Sequence, residues 1–495
     1  MQRITPETAC DLFDIAATRR IEIAHAAALP AHTLMRRAGL ATARLAVAIA
    51  PHARAIWIAC GPGNNGGDGF ETAYELQRRG FAPILTFCGD EARLPPDARA
   101  SLQRARGAGV VIDDEPPSQH DLAIDALLGI GSTRAPEGTM AAWLSRMRAA
   151  GAPVLSIDVP SGLNADTGVL TVDAVKTSSG DSLATNNTQN IAARYCLSLL
   201  TLKPGLFTAQ GRDVAGEVWF DDLACNGATE PSIARLAGNA LVFPRAQASH
   251  KGTYGDVAVI GGAPGMVGAA LLAASAALHA GAGRVLVGLL DPHALAVDIQ
   301  QPELMLRKVE SLDFSALTVV CGCGGGANVR ALLPRVISAA KALVLDADAL
   351  NAIALDGNLQ QLLEARVRRG RATVLTPHPL EAARLLGVSA HHVQSDRLAA
   401  ARSLAMRFGV VVLKGSGSVI ASHAATPIIN LTGNARLATA GAGDVLAGMV
   451  GAALAMGRPA MDAAREAVWR HGALADCWPH DQPLTAGGLA RRQAD

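Results

Sequence analysis

The chain has 495 residues, of which 50% are hydrophobic, 18% are charged and only 3% are aromatic. This length exceeds that of one ordinary domain, and many small residues with few aromatic ones favour closely packed α/β layers over an all-β fold. The 44 basic and 43 acidic residues nearly cancel, which excludes a chain-wide electrostatic field for nucleic acid or an anionic membrane.

The cysteines and the apolar segments exclude further classes of protein. The 8 cysteines are scattered, and no CxxC pair of the zinc-binding or thioredoxin type occurs. Charged residues within the first 14 positions interrupt any secretory leader. The most apolar stretch, 268–290, contains a histidine, an arginine and glycines, so it predicts helix, turn and strand instead of a membrane span. We therefore expect a soluble, cytoplasmic protein with reduced thiols that binds neither membrane nor nucleic acid.

The N-terminal half predicts helices followed by a parallel sheet. Residues 6–50 have helical periodicity, with a first helix end near Pro30. From residue 54, apolar runs alternate with amphipathic helices, as in a parallel sheet that is covered on both faces. The predicted strands are AIWIAC (55–60), APILTFC (82–88), DLAIDALL (121–128) and PVLSIDV (153–159). The polar stretch 173–194 has neither helical nor strand periodicity and is interpreted as an exposed loop.

Three predicted strand ends in this half carry polar groups. GPGNNGGDGF (61–70) precedes the predicted helix ETAYELQRRG, and its glycines allow the backbone to approach a phosphate closely. Asp125 precedes a glycine turn, while Asp158 and Ser161 follow another strand. Because strand ends of a doubly wound sheet line one crevice, we expect these groups to converge on a cation, a sugar or a phosphate. The alternative for each is a tight turn with a helix-capping acid.

In this order, GPGNNGGDGF, DALLGIG, IDVPSGLNADTG and LKPGLFT closely resemble the NAD(P)H-hydrate epimerase domain, over roughly residues 10–222. The resemblance implies a Rossmann-like three-layer α/β/α domain that interconverts the R and S hydrates of NADH and NADPH. It implies a substrate site at Asn64, Asn65, Gly66, Gly67, Asp68, Gly129, Ile130, Gly131, Ser132, Thr133, Arg134, Ala135 and Asp158. It also implies potassium at Asn65, Asp125 and Ser161. Reaction at carbon 6 needs a proton shuttle, for which Asp125 and Asp158 are both candidates.

The second half predicts a different α/β domain. Residues 226–244 lack strand–helix alternation and predict a linker between domains at 1–225 and 245–495. The family of the first domain usually lacks a stretch like 173–194. A loop folded over the crevice would hinder the epimerase, whereas a disordered loop that leads away from the crevice would be neutral. New apolar runs begin with DVAVIGG (256–262), followed by RVLVGLL, LTVVCG, ALVLDAD, ATVLTPH and VVVLKG. The halves share no motif, so they are not a duplication.

The turn TAGAGD (439–444) lies at the start of a predicted helix. The helix N-terminus and the N–H groups of Ala442 and Gly443 predict an anion hole for a transferring phosphoryl group. Asp444 can accept a proton from an attacking hydroxyl, as phosphoryl transfer requires. The alternative is a capped helix with small residues for packing.

Three other strand ends reinforce this interpretation. Lys414 lies in a glycine–serine turn that offers one cation and several N–H groups to phosphate oxygens. Asp346 and Asp348 can anchor the water shell of a magnesium ion. His378 ends a further strand, and Glu381 opens the helix that follows. The alternative for Lys414 is a solvated turn residue, and the alternative for His378 is a purely structural role.

The segments HKGTYGDVAVIGG, GMVGAALLAASAAL, VLDADALN, LTPHPLEAARLLG, VVVLKGSGSVIA and GNARLATAGAGDVLAGM closely resemble the ADP-dependent NAD(P)H-hydrate dehydratase domain, over roughly residues 245–478. The resemblance implies a ribokinase-like α/β fold that uses Mg²⁺ and ADP as phosphoryl donor, giving AMP and phosphate. It implies an ADP site at Lys414, Gly415, Ser416, Gly417, Ser418 and Gly443. Gly326, His378 and Asp444 would face the hydrated nucleotide, with Asp444 as catalytic base. The family's GPGLG turn is Gly-Cys-Gly-Gly-Gly (322–326) here, for which we expect the same backbone path.

Together the two resemblances predict one enzyme that epimerises and dehydrates its small-molecule substrates, hydrated NADH and NADPH, and we expect a homo-oligomer. One alternative is a ribokinase-like small-molecule kinase fused to a non-catalytic nucleotide-binding module. Another is a scaffold, because epimerase-like domains also occur as interaction modules in RNA-associated proteins. A degenerate first site is disfavoured by the polar residues that it keeps, which are Asn65, Asp68, Asp125, Asp158 and Ser161.

Overall fold

The computed structural model describes residues 1–132, 134–171, 194–225, 230–239 and 246–492. The chain divides into two compact units. The first comprises Met1–Thr5 and Asp11–Ile233, and the second comprises Pro6–Cys10 and Ala234–Asp495. Thr133 and the predicted loop at 173–194, apart from Arg194, lie outside the described residues. The predicted linker at 226–244 is described only for residues 230–239, where residues 234–236 form a short strand.

The first unit has nine strands and six α-helices among the described residues. Its helices are α1 (Ile15–Ala28), α2 (Thr33–Ile49), α3 (Asn64–Arg78), α4 (Pro96–Gly107), α5 (Gly138–Ala149) and α6 (Gly211–Ala215). Its strands are β1 (Gln2–Arg3), β2 (Asp11–Leu12), β3 (Ile56–Cys60), β4 (Pro83–Phe87), β5 (Val111–Asp113), β6 (Leu122–Ala126), β7 (Val154–Ile157), β8 (Arg194–Leu199) and β9 (Glu217–Asp221). The sheet order is β1-β9-β8-β7-β6-β3-β4-β5, and every neighbouring pair is parallel except β1 and β9.

Helices cover both faces of this sheet. Ile56, Ile58 and Cys60 of β3 pack into a buried cluster with apolar side chains of α2, α3 and α4. The alternate residues Trp57 and Ala59 join a second cluster with α5. A parallel sheet whose strands are buried on both faces needs such continuous apolar runs. The four predicted strands and the three-layer α/β/α architecture are therefore confirmed.

One helix boundary differs from the prediction. The sequence predicts a helix from Glu71, but α3 already begins at Asn64, so the segment NNGGD forms its first turn. A Cβ atom on Gly66 would lie 1.9 Å from the carbonyl oxygen of Gly61, and one on Gly69 would lie 2.6 Å from the Cys60 sulfur. The glycines are therefore needed for close packing of this helix start against the end of β3, as well as for a turn.

The second unit is a larger α/β layer structure. Its helices are α7 (Val267–His279), α8 (Leu333–Ala339), α9 (Ala347–Ala354), α10 (Gly357–Arg368), α11 (Pro379–Leu386), α12 (Ala390–Ser395), α13 (Arg397–Phe408), α14 (Ala442–Ala455), α15 (Ala460–Asp476) and α16 (Ala486–Arg491). Its strands are β10 (Ala234–Leu236), β11 (Asp256–Gly261), β12 (Arg284–Leu289), β13 (Met305–Leu306), β14 (Thr318–Cys321), β15 (Ala342–Leu345), β16 (Thr373–Leu375), β17 (Val410–Leu413), β18 (Val419–Ser422) and β19 (Ala425–Ile429). They lie in the order β13-β12-β11-β14-β15-β16-β17-β18-β19-β10.

Most neighbours in this sheet are parallel, while β18 is antiparallel to both β17 and β19. Val320, Val344, Val374 and Val412 contribute to one buried cluster with the small residues of α7, α14 and α15. The stretch 268–290 forms α7, a turn and β12, as predicted. Among the described helices, none combines the length and apolarity that a membrane span requires.

Candidate active sites

A cavity of about 630 Å³ lies in the first unit, where parallel strands β3, β6, β7 and β8 are neighbours in the sheet. The predicted residues that line it are Asn64, Asn65, Asp68, Gly129, Ile130, Gly131, Ser132 and Asp158. They come from the start of α3, the turn after β6 and the end of β7. The structure thus brings most of the predicted epimerase site together.

Asp158 is held on the cavity wall by a lysine that the sequence analysis did not select. Its backbone has φ 66°, a left-handed conformation that costs a non-glycine residue about 1–3 kcal/mol and is concentrated at functional sites. The carboxylate Oδ1 forms an ion pair with the Lys203 ammonium and accepts a hydrogen bond from Leu199 N at 3.2 Å. Lys203 is fully buried and also donates to the Leu199 carbonyl at 2.7 Å. Its signal in the sequence was a lysine within the apolar run LTLKPGLF.

Two further acids, Asp68 and Glu22, line the same cavity, and the pKa of each of these two is raised. Burial raises the pKa of Asp68 well above its ordinary range, and the nearby carboxylate of Asp158 raises it further. Burial and Asp158 also raise the pKa of Glu22, which comes from α1. Because the charged forms of these acids are disfavoured, a proton can be stored beside Asp158.

Asp125 lies deeper and is not among the described residues that line the cavity. Its carboxylate is 3% exposed and accepts from Ser161 Oγ at 2.6 Å and from Ser161 N at 2.9 Å. Burial raises the pKa of Asp125, while these hydrogen bonds lower it. The Asn65 amide is also buried, and its Nδ2 atom has no hydrogen-bond partner. Of the three predicted potassium ligands, Asp125 and Ser161 are thus bonded directly to each other.

Four predicted substrate residues are not among the described residues that line the cavity. Gly66 packs against Gly61, and a Cβ atom on Gly67 would lie 2.6 Å from the Met35 methyl group, so both glycines face protein. Arg134 and Ala135 lie further along the turn, where the Arg134 carbonyl accepts from Ser132 Oγ at 3.2 Å. Thr133 is outside the described residues.

In the second unit, neighbouring parallel strands β14, β15, β16 and β17 end at one edge of the sheet. Asp346 follows β15 and is 1% exposed. Its Oδ1 accepts from Lys414 Nζ at 2.8 Å and from Thr376 Oγ1 at 2.8 Å. Burial lowers the pKa of Lys414, but Asp346 and Glu381 outweigh it, so the net pKa is raised and the ammonium stays charged.

Asp444 lies in the first turn of α14, close to Asp346. One carboxylate oxygen of Asp444, one of Asp346 and the Cys323 sulfur all lie within 4.8 Å of one another. Burial and the charge of Asp346 raise the pKa of Asp444 to about 6. A Cβ atom on Gly443 would lie 3.2 Å from Lys414 Nζ, so the helix N-terminus and the ammonium share one small space. A base with this pKa beside an anion hole fits proton removal coupled to phosphoryl transfer.

His378 caps a helix and is also accessible to a ligand. It caps α11: its Nδ1 accepts from Leu380 N at 3.1 Å, while Glu381 Oε2 accepts from His378 N at 2.7 Å. Burial and Lys414 lower the pKa of His378, which favours the neutral ring. Burial raises the pKa of Glu381 to about 7. The imidazole side chain is 46% exposed, so it can still contact a ligand.

The remaining predicted residues lie in two turns. Lys414 to Ser418 connect β17 and β18, and Gly415 has φ 135°. A Cβ atom there would lie 3.0 Å from the guanidinium of the buried Arg397, so glycine is required. Gly326 has φ 53° and donates its N–H to Asp348 Oδ2 at 2.8 Å. Asp348 therefore fixes the 322–326 turn.

The chain matches known proteins along most of its length. The family described as NAD(P)H-hydrate dehydratase matches residues 257–491, and the YjeF-related protein N-terminus family matches residues 31–205. The bifunctional NAD(P)H-hydrate repair enzyme Nnr of Escherichia coli (strain K12) is 36% identical, with 92% of this chain and 87% of that protein covered.

Two shorter proteins match the second half. The ADP-dependent (S)-NAD(P)H-hydrate dehydratase of Neisseria meningitidis serogroup B is 45% identical, with 52% of this chain and 90% of that protein covered. An ADP/ATP-dependent NAD(P)H-hydrate dehydratase from Bacillus subtilis, co-crystallised with ATP and Mg²⁺, is 30% identical; 50% of this chain and 91% of that one are covered, with a TM-score of 0.42. From the identity and coverage of its full-length relatives, this chain belongs to the family of bifunctional NAD(P)H-hydrate repair enzymes.

Proposed function

We propose that this chain restores hydrated NADH and NADPH in two steps. The first unit interconverts the R and S hydrates, and the second dehydrates the S form with ADP, giving AMP and phosphate. The observation that carries the proposal is the arrangement of Asp444, whose pKa is about 6, with Lys414 and Asp346 around the N-terminus of α14. This arrangement combines a base with positive charge for a phosphoryl group.

The dehydratase residues act on a poor leaving group. Asp444 removes the proton of the carbon 6 hydroxyl, whose oxygen attacks the β-phosphorus of ADP and displaces AMP. Lys414 and the N–H groups at the start of α14 stabilise the negative charge on the transferring phosphoryl group. The ring nitrogen then expels phosphate, and loss of a proton from carbon 5 completes the double bond.

Magnesium fits the acidic side of this site. The carboxylates of Asp346 and Asp444 converge within 4.8 Å, and oxygen donors are the ligands that Mg²⁺ prefers. We assign Asp346 and Asp348 to hold its water shell. When bound, Mg²⁺ neutralises charge on the phosphates of ADP.

We assign the proton transfers of epimerisation to Asp158 and Asp68. Asp68, whose pKa is raised, protonates the departing hydroxyl so that it leaves as water. Asp158 removes a proton from the water that adds to the other face of carbon 6. Both side chains line the cavity, whereas Asp125 is not among its described lining residues. Asp125 is instead assigned to the cation site.

Potassium fits Asn65, Asp125 and Ser161 because they offer amide, carboxylate and hydroxyl oxygens, and because Asp125 is a buried carboxylate bonded to the Ser161 hydroxyl. When bound, the ion would supply positive charge to the site through Asn65, which lines the cavity. We expect Asp125→Ala to lower epimerase activity and to abolish its stimulation by K⁺. The measurement is the epimerisation rate in potassium and in tetramethylammonium chloride. Stimulation that persists in Asp125→Ala contradicts this site.

The proposed function is tested with a mixture of R and S hydrates of NADH. With ADP, the full chain is expected to convert both forms to NADH, because the epimerase replenishes the S form. Conversion of the S form alone contradicts the epimerase assignment. A stable phosphoester on another substrate, without recovery of NADH absorbance, supports a small-molecule kinase instead. Homo-oligomerisation and a cytoplasmic location stay predictions from the sequence.

A further inference from the structure

The cavity of the first unit has few side chains that can carry a free positive charge, although its proposed substrate is an anion. Its described titratable lining residues are the acids Glu22, Asp68, Asp97 and Asp158 and the bases Arg19, His32 and Lys203. Lys203 is paired with Asp158 and fully buried. Burial lowers the pKa of His32, which favours its neutral form. Arg19 is therefore the one lining cation of the described chain that is left to receive a phosphate group.

Arg19 lies where a ligand in the cavity can reach it. It comes from the cavity-facing side of α1, which also contributes Thr18, Glu22 and Ala26 to the lining. Its guanidinium lies over the turn after β6, since a Cβ atom on Gly131 would be 3.4 Å from Nη2. The side chain is exposed. Within the described part of the chain, no ion pair of Arg19 with an acid is found.

The neighbouring Arg20 has a different environment. Its Nη2 donates to Glu230 Oε2 at 2.9 Å, and it does not line the cavity among the described residues. Two adjacent arginines on one helix thus have different surroundings. Arg20 is neutralised by an acid of its own unit, whereas Arg19 faces the cavity.

We propose that Arg19 binds a phosphate group of the hydrated dinucleotide, an inference that rests on the epimerase activity proposed above. A pyrophosphate dianion that leaves water for this cavity needs a cation to compensate its charge. The planar fork of an arginine matches two phosphate oxygens and stays charged at every relevant pH.

The test compares Arg19→Met with the matched control Arg20→Met in the full chain. We expect Arg19→Met to raise the KM of epimerisation by about 10-fold or more with little change in kcat, because a hydrogen bond to a charged group contributes about 1.5–3 kcal/mol. Arg20→Met should retain the wild-type KM, and Arg19→Lys should recover part of the loss. Dehydration of the pure S hydrate by the second unit serves as a measure of intact protein.

Parallel assays with NADH hydrate and NADPH hydrate identify the phosphate. An equal rise in KM for both assigns Arg19 to the pyrophosphate, which they share. A rise confined to NADPH hydrate assigns it to the 2′-phosphate. Wild-type KM values for both substrates in Arg19→Met overturn the inference, whereas absence of epimerisation in the wild-type chain overturns the proposed function itself.

Discussion

Asp444→Asn is expected to lower the kcat of the ADP-dependent dehydratase by about 100- to 10,000-fold, the usual range for loss of a general base. Asparagine has nearly the same shape but cannot accept the hydroxyl proton. Dehydration is followed by recovery of NADH absorbance from the S hydrate with saturating ADP. Epimerisation in the first unit, measured on the same preparation, is expected to stay at the wild-type rate. Wild-type dehydration by Asp444→Asn would remove Asp444 from the chemistry.

The pKa of Asp444 also predicts a pH dependence of this activity. Burial and Asp346 raise that pKa to about 6, so the carboxylate is largely ionised at pH 7 and becomes protonated as the pH falls through 6. Only the ionised form accepts a proton. The rate should therefore be nearly constant above pH 7 and fall about tenfold per unit well below pH 6. A rate that is unchanged down to pH 5 contradicts this assignment.

The sequence predicted both sheets and the strand ends that bear the sites. Continuous apolar runs are required of strands covered on both faces, and polar residues such as Asp158 and Lys414 immediately follow them. The predicted start of α3 was wrong. Glycine has a low helix propensity, which argued against a helix at 64–70, but close packing of Gly66 and Gly69 on β3 favours the helix there. Such tertiary packing cannot be read from local propensity.

Several site residues could not be predicted because their roles depend on distant neighbours. Lys203 contacts Asp158 across 45 positions, and no spacing rule connects them. Arg19 and Arg20 are indistinguishable by type, and the two differ only because α1 turns one towards the cavity and the other towards Glu230. The sequence left Asp125 and Asp158 as equal candidates for the proton shuttle. Their different positions relative to the cavity now favour Asp158.

Asp158→Asn is expected to lower the kcat of epimerisation by about 100- to 10,000-fold, because its amide cannot remove a proton from the adding water. The substitution also leaves the buried Lys203 ammonium without its counter-ion, and breaking a buried pair costs about 3–5 kcal/mol. Thermal denaturation must therefore accompany the kinetics, with dehydration of the S hydrate as a measure of the second unit.

The double variant Asp158→Asn with Lys203→Met separates the two effects, because it removes the unpaired charge as well as the base. We expect it to regain stability relative to Asp158→Asn but to stay inactive as an epimerase. If epimerisation returns together with stability, Asp158 has only a structural role. In that case Asp68, a cavity-lining carboxyl group with a raised pKa, becomes the residue to test for proton transfer.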